Sequence, residues 1–348
     1  PVPPIACTTF TVTCTMESMD RDMTNPETDA TNPTDATAGT GATGPAPLFE
    51  APESVLNASA QRSRDFAIVT GAASGIGRAL AISLAGDGYR VAIADRNGDG
   101  LRHTIAAARR AAAANNPNPE PVVDATALDV SDWDAVRGWA QRIVGKHGAP
   151  HEVHHAAGIS VWGDPTDLPH EKWRGCIDIN LMGTIHMVEA LTPSMADAGR
   201  GKLVMVSSAA GILGLPWHGA YSASKAGIIG LGEVLRFDLP PKGIDVHVIA
   251  PGAVDTPLVR TIDIHGIDRE APRVAKSTKL FQRHAISPAK AAAIIRTDVA
   301  KGKYLIATSH DVGLGRWAQV NMPWAYRGVM KALNRGLRWA ADGAEKKD

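Results

Sequence analysis

The chain has 348 residues and only three cysteines, Cys7, Cys14 and Cys176. The number is odd, no CxxC spacing occurs, and two of the three fall near the N-terminus. A disulfide framework and a zinc-thiolate site are excluded on that pattern, and a cytoplasmic setting is expected. Net charge is also missing, with 36 basic against 36 acidic residues. No overall positive field exists to hold nucleic acid. No apolar run approaches the ~18 residues that a membrane-spanning helix requires. No basic segment precedes an apolar core near the N-terminus, so no secretory signal is expected. Residues 1–60 lack apolar periodicity and hold eight acids against the single base Arg21. Such a stretch cannot bury enough surface to offset its ordering entropy, so residues 1–60 are expected to be a disordered tail, with at most a weak helix near 50–60.

The rest of the chain has a strong rhythm. Short continuous apolar runs, FAIVT (66–70) and RVAIAD (90–95), read as strands buried on both faces. Further strand-like runs lie at 121–130, 151–158, 201–208, 244–252 and 303–308. Helical stretches separate them, among them SDWDAVRGWAQRIVGKHG with a cap-like Ser-Asp start. Alternation of this kind gives a parallel sheet with helices on both faces. The expected fold is a Rossmann-type, doubly wound α/β domain with seven parallel strands, over residues 61–312. Its ligand site belongs at the C-terminal ends of the strands.

The first of these strands runs into Thr70-Gly71-Ala72-Ala73-Ser74-Gly75-Ile76-Gly77, and a helix follows. Gly71 permits a tight turn, Gly75 lets backbone N–H groups approach a pyrophosphate, and Gly77 allows helix to pack closely on strand. The helix N-terminus adds partial positive charge for the phosphates. Asp95 ends the second strand, where a carboxylate accepts bonds from ribose hydroxyls and repels a 2′-phosphate. NAD is therefore expected over NADP, although Arg96 beside it offers a 2′-phosphate a partner. Tyr221 and Lys225 are four apart on a predicted helix and so share a face. A neighbouring ammonium favours the tyrosinate and is expected to lower the phenol's pKa, which suits proton transfer to a reacting oxygen.

The TGxxxGIG loop followed by YxxxK resembles the short-chain dehydrogenase/reductase family, over roughly residues 64–310. The resemblance implies a hydride transfer between NAD or NADP and an alcohol or ketone, with Asn180, Ser208, Tyr221 and Lys225 as the catalytic set. Ser208 lies thirteen residues before Tyr221, the family's interval, with Ser207 as its rival. Asn180 would hold a proton-relaying water. The resemblance places Asp129-Val130 near the adenine and Ala157-Gly158 along the adenosine. Pro251-Gly252, the Val254 backbone and the Thr256 hydroxyl would hold the nicotinamide carboxamide. The family's Asn pair before Ala-Gly is here His155-Ala156. His154 and His155 point to opposite sheet faces, so they are read as buried structural residues rather than one metal site. A homodimer or homotetramer built partly on the Tyr221 helix is also implied.

Ile212, Leu213, Leu215 and Trp217 are expected to wall an apolar substrate pocket, and residues 258–284 to form a mobile lid. Residues 313–348 follow as an amphipathic helical extension opening at Pro323. Tyr326, Val329, Met330, Leu333, Leu337 and Ala340 share one arc; Arg327, Lys331, Arg335 and Arg338 share the other. That face suits packing on the protein itself, on a second subunit, or peripherally on a membrane surface. Two other readings stand beside the dehydrogenase. One is a catalytically silent dinucleotide-binding sensor or scaffold. The other is an isomerase or dehydratase on the same scaffold.

Overall fold

The computed structural model describes residues 44–52, 65–115, 120–260, 262–268, 270–275, 285–342 and 344. These all fall in the second of the chain's two units, Ala42–Asp348. The expectations for residues 1–43, for a helix near 50–60 and for Cys7 and Cys14 lie wholly or mostly outside the described residues.

In chain order the strands are β1 (Pro47–Glu50), β2 (Phe66–Thr70), β3 (Arg90–Asp95), β4 (Val122–Ala127), β5 (Glu152–His155), β6 (Val161–Trp162), β7 (Gly201–Val206), β8 (Ile244–Ala250), β9 (Asp263–Ile264) and β10 (Leu305–Ala307). The helices are α1 (Gly75–Gly86), α2 (Gly98–Asn115), α3 (Trp133–His147), α4 (His170–Cys176), α5 (Gly183–Asp197), α6 (Gly219–Asp238), α7 (Pro257–Arg260), α8 (Pro288–Ala300), α9 (His310–Asn321) and α10 (Pro323–Ala341). The main sheet runs β1-β4-β3-β2-β5-β7-β8-β10. Seven of its strands are parallel, as expected, and reverse order between β2 and β5. A doubly wound sheet binds ligands at such a crevice.

Alternation along each strand builds one core on each face. Ala67 and Val69 of β2 join the core beneath α1, α2 and α8. Phe66 and Ile68 join the core beneath α3, α5 and α6, around the fully buried Trp139. The odd composition of β5 has a structural cause. Glu152 accepts from Tyr89 (3.0 Å) and bonds His154 Nε2 (2.8 Å), and it is paired with Arg296 and Lys202. His154 therefore serves this cluster, while His155 bonds Thr70 Oγ1 on the neighbouring strand at 2.7 Å.

Three boundaries are corrected. First, the disordered tail expected through residue 60 contains β1, which pairs antiparallel with β4 and makes the main sheet eight-stranded. The edge of β4 offers unpaired backbone groups, Phe49 packs on the core, and Glu50 meets Lys146 at 2.5 Å. Second, the border at 312/313 falls inside α9. Third, the extension is two helices rather than one, and both reach back to the domain. Gly315 rests against Leu213, and Tyr326 Oη accepts from Gly214 N at 2.8 Å. On α10, Tyr326, Met330 and Leu337 are partly covered and Ala340 is buried, whereas Val329 and Leu333 of the same arc face solvent. Among the described residues no helix is long and apolar enough to cross a membrane.

Candidate active site

A cleft of about 610 Å³ opens at the C-terminal ends of β2, β3, β5, β7 and β8. Every expected cofactor residue lines it: Gly71, Ser74, Gly75, Ile76, Gly77, Asp95, Arg96, Asp129, Val130, Ala157, Gly158, Tyr221, Lys225, Pro251, Gly252, Val254 and Thr256. Its size lies in the middle of the range for ligand clefts.

The cofactor half is made of backbone brought too close for side chains. Gly71 has φ +67°, and a Cβ there would sit 2.6 Å from the Ala156 carbonyl carbon. A Cβ on Gly77 would sit 2.2 Å from the Gly71 carbonyl oxygen. Ser74 leads into α1 without a side-chain cap, and the first turn holds no acid. The first N–H groups of α1 are thus left for an anionic ligand. Asp95 is engaged with the chain on both sides of it. Its Oδ2 accepts from Ala73 N at 2.9 Å and its Oδ1 from Asn97 N at 2.8 Å, so it also pins the glycine loop. Carboxylate oxygens keep lone pairs beyond these bonds. Burial raises the Asp129 pKa, but bonds from Ser131 and the charge of Arg96 outweigh it and hold the carboxyl below its ordinary value. The cradle therefore fits a dinucleotide, with glycine backbone for the phosphates and carboxylates at the adenosine end.

Tyr221, Lys225 and Ser208 meet where this half joins the substrate half. Lys225 Nζ donates to the Val206 carbonyl at 2.9 Å and lies 5.9 Å from the Tyr221 ring centre. Burial pushes Lys225 down to about 8, with Cys176 opposing. Ser208 Oγ accepts from Ala210 N at 3.1 Å, which fixes it at the end of β7. Ser207 Oγ is spent on the Lys225 carbonyl at 2.7 Å, so it is not equivalent to Ser208. The expected lowering of Tyr221 is corrected. Burial pushes this phenol up and Cys176 adds to the rise, with a Ser208 hydrogen bond opposing.

Asn180 lies outside the cleft lining. It sits, fully buried, in a π-helical turn (Ile177–Met182). Its Oδ1 accepts from Ile159 N at 2.7 Å, and its Nδ2 donates to Ile159 O and Ser224 Oγ at 3.0 and 2.9 Å. Its amide therefore secures the segment after β5 against α6. His155 is held neutral by burial, and by the charges of Lys225 and His186, with a pKa of about 3. Its imidazole takes the position beside Ala156 at the sheet centre.

The substrate half is largely apolar. Leu213 and Leu215 line it as expected, but Ile212 and Trp217 do not. Trp217 has φ +65° and turns toward a cluster with Ile262, Ile264 and Ile267. Ile159, Trp162 and His218, outside the expected walls, also line it, as do Leu258, Val259 and Ile262 of the expected lid. His218 was legible: it lies three residues before Tyr221, at the N-cap of α6. Of the expected lid, residues 261, 269 and 276–284 lie outside the described residues. Its described part is ordered chain, with α7 and with β9 paired to β6.

A family model described as short chain dehydrogenase matches residues 65–265. The chain belongs to the short-chain dehydrogenase family. An oxidoreductase of Mycobacterium tuberculosis, EphD, is 33% identical over 278 residues, 78% of this chain and 44% of that protein. The chain thus spans less than half the length of that relative. The 3-oxoacyl-[acyl-carrier-protein] reductase FabG of Thermotoga maritima is 31% identical over 56% of this chain and 76% of its own. Among solved structures, a short-chain dehydrogenase from Streptomyces avermitilis matches with a TM-score of 0.64 at 27% identity, covering 78% of this chain and 98% of that one. One from Burkholderia phymatum, in complex with NAD, matches with a TM-score of 0.63 at 25% identity, covering 71% and 90%. The fold follows from this membership.

Proposed function

We propose that the protein is an NAD-dependent oxidoreductase that interconverts an apolar secondary alcohol and its ketone. The observation that carries this is one continuous cleft, with the glycine cradle at one end, apolar walls at the other, and Tyr221, Lys225 and Ser208 at the junction. When bound, the nicotinamide supplies or accepts the hydride. In the reducing direction Ser208 donates a hydrogen bond to the substrate carbonyl and stabilises charge growing on its oxygen. Tyr221 gives that oxygen a proton. Lys225 binds the ribose beside Tyr221, and Asn180 positions the segment through Ile159. Asp95 accepts from the adenosine ribose, which favours NAD over NADP. Thr256 and the Val254 backbone orient the carboxamide.

The test is titration with NADH and NADPH, then turnover against secondary alcohols and ketones, with Tyr221→Phe alongside. The expected result is tighter NADH than NADPH binding and turnover that falls ~10²–10⁴-fold in the variant while NADH affinity holds. Cofactor binding without Tyr221-dependent turnover on any substrate would favour the silent sensor instead.

A second reading concerns where the enzyme works. Leu314, Trp317, Val320 and Trp324 are all more than half exposed, near Arg316 and Arg327. Tryptophan beside arginine suits the interface of an anionic lipid surface. Co-sedimentation with anionic but not neutral vesicles is the expected result. The exposed Val234 and Phe237 of α6 suit a homodimer or homotetramer, read out by light scattering.

A further inference from the structure

The substrate half holds a buried polar side chain that the reaction does not use and that has a free acceptor. His218 lines the cleft and is only 7% exposed. Its Nδ1 lies 2.6 Å from the Pro216 carbonyl oxygen. A carbonyl can only accept, so Nδ1 carries the hydrogen. A neutral imidazole with its proton on Nδ1 has a bare lone pair on Nε2. Burial drives the ring's pKa down to about 4, against the Pro216 bond, so the neutral form holds at neutral pH. The ring is clamped in place. Trp162 packs on it with centroids 4.0 Å apart, and Trp162 Nε1 is itself tied to Ser160 Oγ at 3.0 Å. The Tyr221 ring lies on another side, with centroids 6.4 Å apart. Nε2 has no protein partner among the described residues.

We propose that His218 is a specificity-determining residue whose Nε2 accepts a hydrogen bond from a hydroxyl on the substrate, so that the preferred substrate is an apolar hydroxyketone or diol rather than a simple ketone or alcohol. The inference rests on the reading of this cleft as an alcohol/ketone site. The hydroxyl sits a few bonds from the reacting carbon, because the imidazole neighbours the phenol that serves that carbon's oxygen. Leu213, Leu215, Leu258, Val259 and Ile262 of the lining offer no acceptor side chain, and Ser160 Oγ is already engaged by Trp162 Nε1. A substrate without the hydroxyl leaves the Nε2 lone pair desolvated and unmatched, which is how a buried polar group discriminates.

The experiment uses the full chain and two matched substrates, an aliphatic ketone and the same chain with a hydroxyl one or two carbons from the carbonyl. The ratio of their kcat/KM values is measured for wild type, His218→Phe and His218→Gln. Wild type is expected to favour the hydroxyketone about 10- to 100-fold. His218→Phe keeps a ring against Trp162 and should bring the ratio near one, with the plain ketone changed only a few-fold. His218→Gln restores an acceptor and should recover part of the preference. A wild-type ratio near one, or a ratio unmoved in His218→Phe, overturns the proposal. A second readout does not depend on turnover. The 15N spectrum of the His218 imidazole is expected to show the Nδ1–H tautomer at neutral pH, and Nε2 should shift when the hydroxyketone is added with NADH. An Nε2–H tautomer, or no shift on saturation, overturns the inference even if the enzyme is active. Lack of turnover with a hydroxyl-dependent shift would instead sink the redox reading and leave the recognition by His218 standing.

Discussion

The two halves of the cleft are built in different ways. The cofactor half is made of strand ends and close backbone, with Gly71, Gly77 and Ala157 facing other main chain and Gly158 facing the Asn180 and Lys225 side chains. The substrate half is made of side chains from separated segments: Trp162, the 209–218 loop, α7 and the C-terminal helices behind Leu213 and Gly214. A backbone cradle tolerates almost no substitution but recognises only what every dinucleotide shares. A wall of side chains tolerates change and carries the choice of substrate.

Adding a side chain to each half sharpens that contrast. Gly71→Val places two branches where even a Cβ lies 2.6 Å from main chain, in a left-handed conformation that L-residues avoid. Left-handed strain and overpacking together cost roughly 3 kcal/mol. NADH affinity is therefore expected to fall about 100-fold by fluorescence titration. In the substrate half, Leu215→Phe should leave NADH affinity unchanged and alter only the ranking of substrates. Equal loss of cofactor binding in both variants would erase the distinction.

The halves also differ in titration. The substrate half contains the buried His218, with a folded pKa of about 4. Above pH 6.5 the ring is neutral folded or unfolded, so it adds no slope. Between about 6.5 and 4 the unfolded chain takes a proton that the folded ring refuses, so stability falls as pH falls. One such group contributes up to about 1.4 kcal/mol per pH unit in that window. His218→Gln should flatten the urea-stability profile between pH 6.5 and 4, with no change above pH 7. His147 and His155 are held neutral in the same way and should keep a residual slope. An unchanged profile would place the ring in solvent.

Asp95 tests whether the cofactor half discriminates at all. Asp95→Ser removes the charge facing a 2′-phosphate and leaves Arg96 beside it. The NADPH to NADH affinity ratio is expected to rise about tenfold, close to the ~1 kcal/mol of a solvent-screened charge pair. Both cofactors should also bind somewhat more weakly, because Ala73 N loses its acceptor. A ratio that stays fixed would assign cofactor choice elsewhere.

What the sequence allowed to be read follows the same division. The glycine loop, Asp95, Ser208 and the Tyr221–Lys225 pair are local patterns between recognisable strands and helices, and all of them converge in the cleft. The expected lowering of Tyr221 failed because burial, which spacing does not report, dominates its surroundings. β1 was hidden because its stability comes from pairing with β4, far along the chain, while its own composition matches the tail around it. Trp217 read as a pocket wall because it is apolar and near Ser208, but its left-handed backbone turns it away. The apolar arc of the extension suited packing on its own domain, but nothing in its periodicity names Gly214 or Leu213 as partners.

That last contact can be broken with the smallest change of all. Tyr326→Phe removes one hydroxyl, 112 residues from the backbone N–H it serves at Gly214. The bond is worth about 1 kcal/mol net, because water can replace it at an exposed turn. If α10 only decorates the domain, the substitution changes nothing in catalysis. If it braces the 209–218 loop, the loss loosens the wall that carries Leu213 and Leu215 while leaving the glycine cradle alone. KM for an apolar ketone is then expected to rise about 3- to 5-fold, with kcat and NADH affinity unchanged. Steady-state kinetics at saturating NADH separates the cases, and an unmoved KM would return α10 to the role of an appendage.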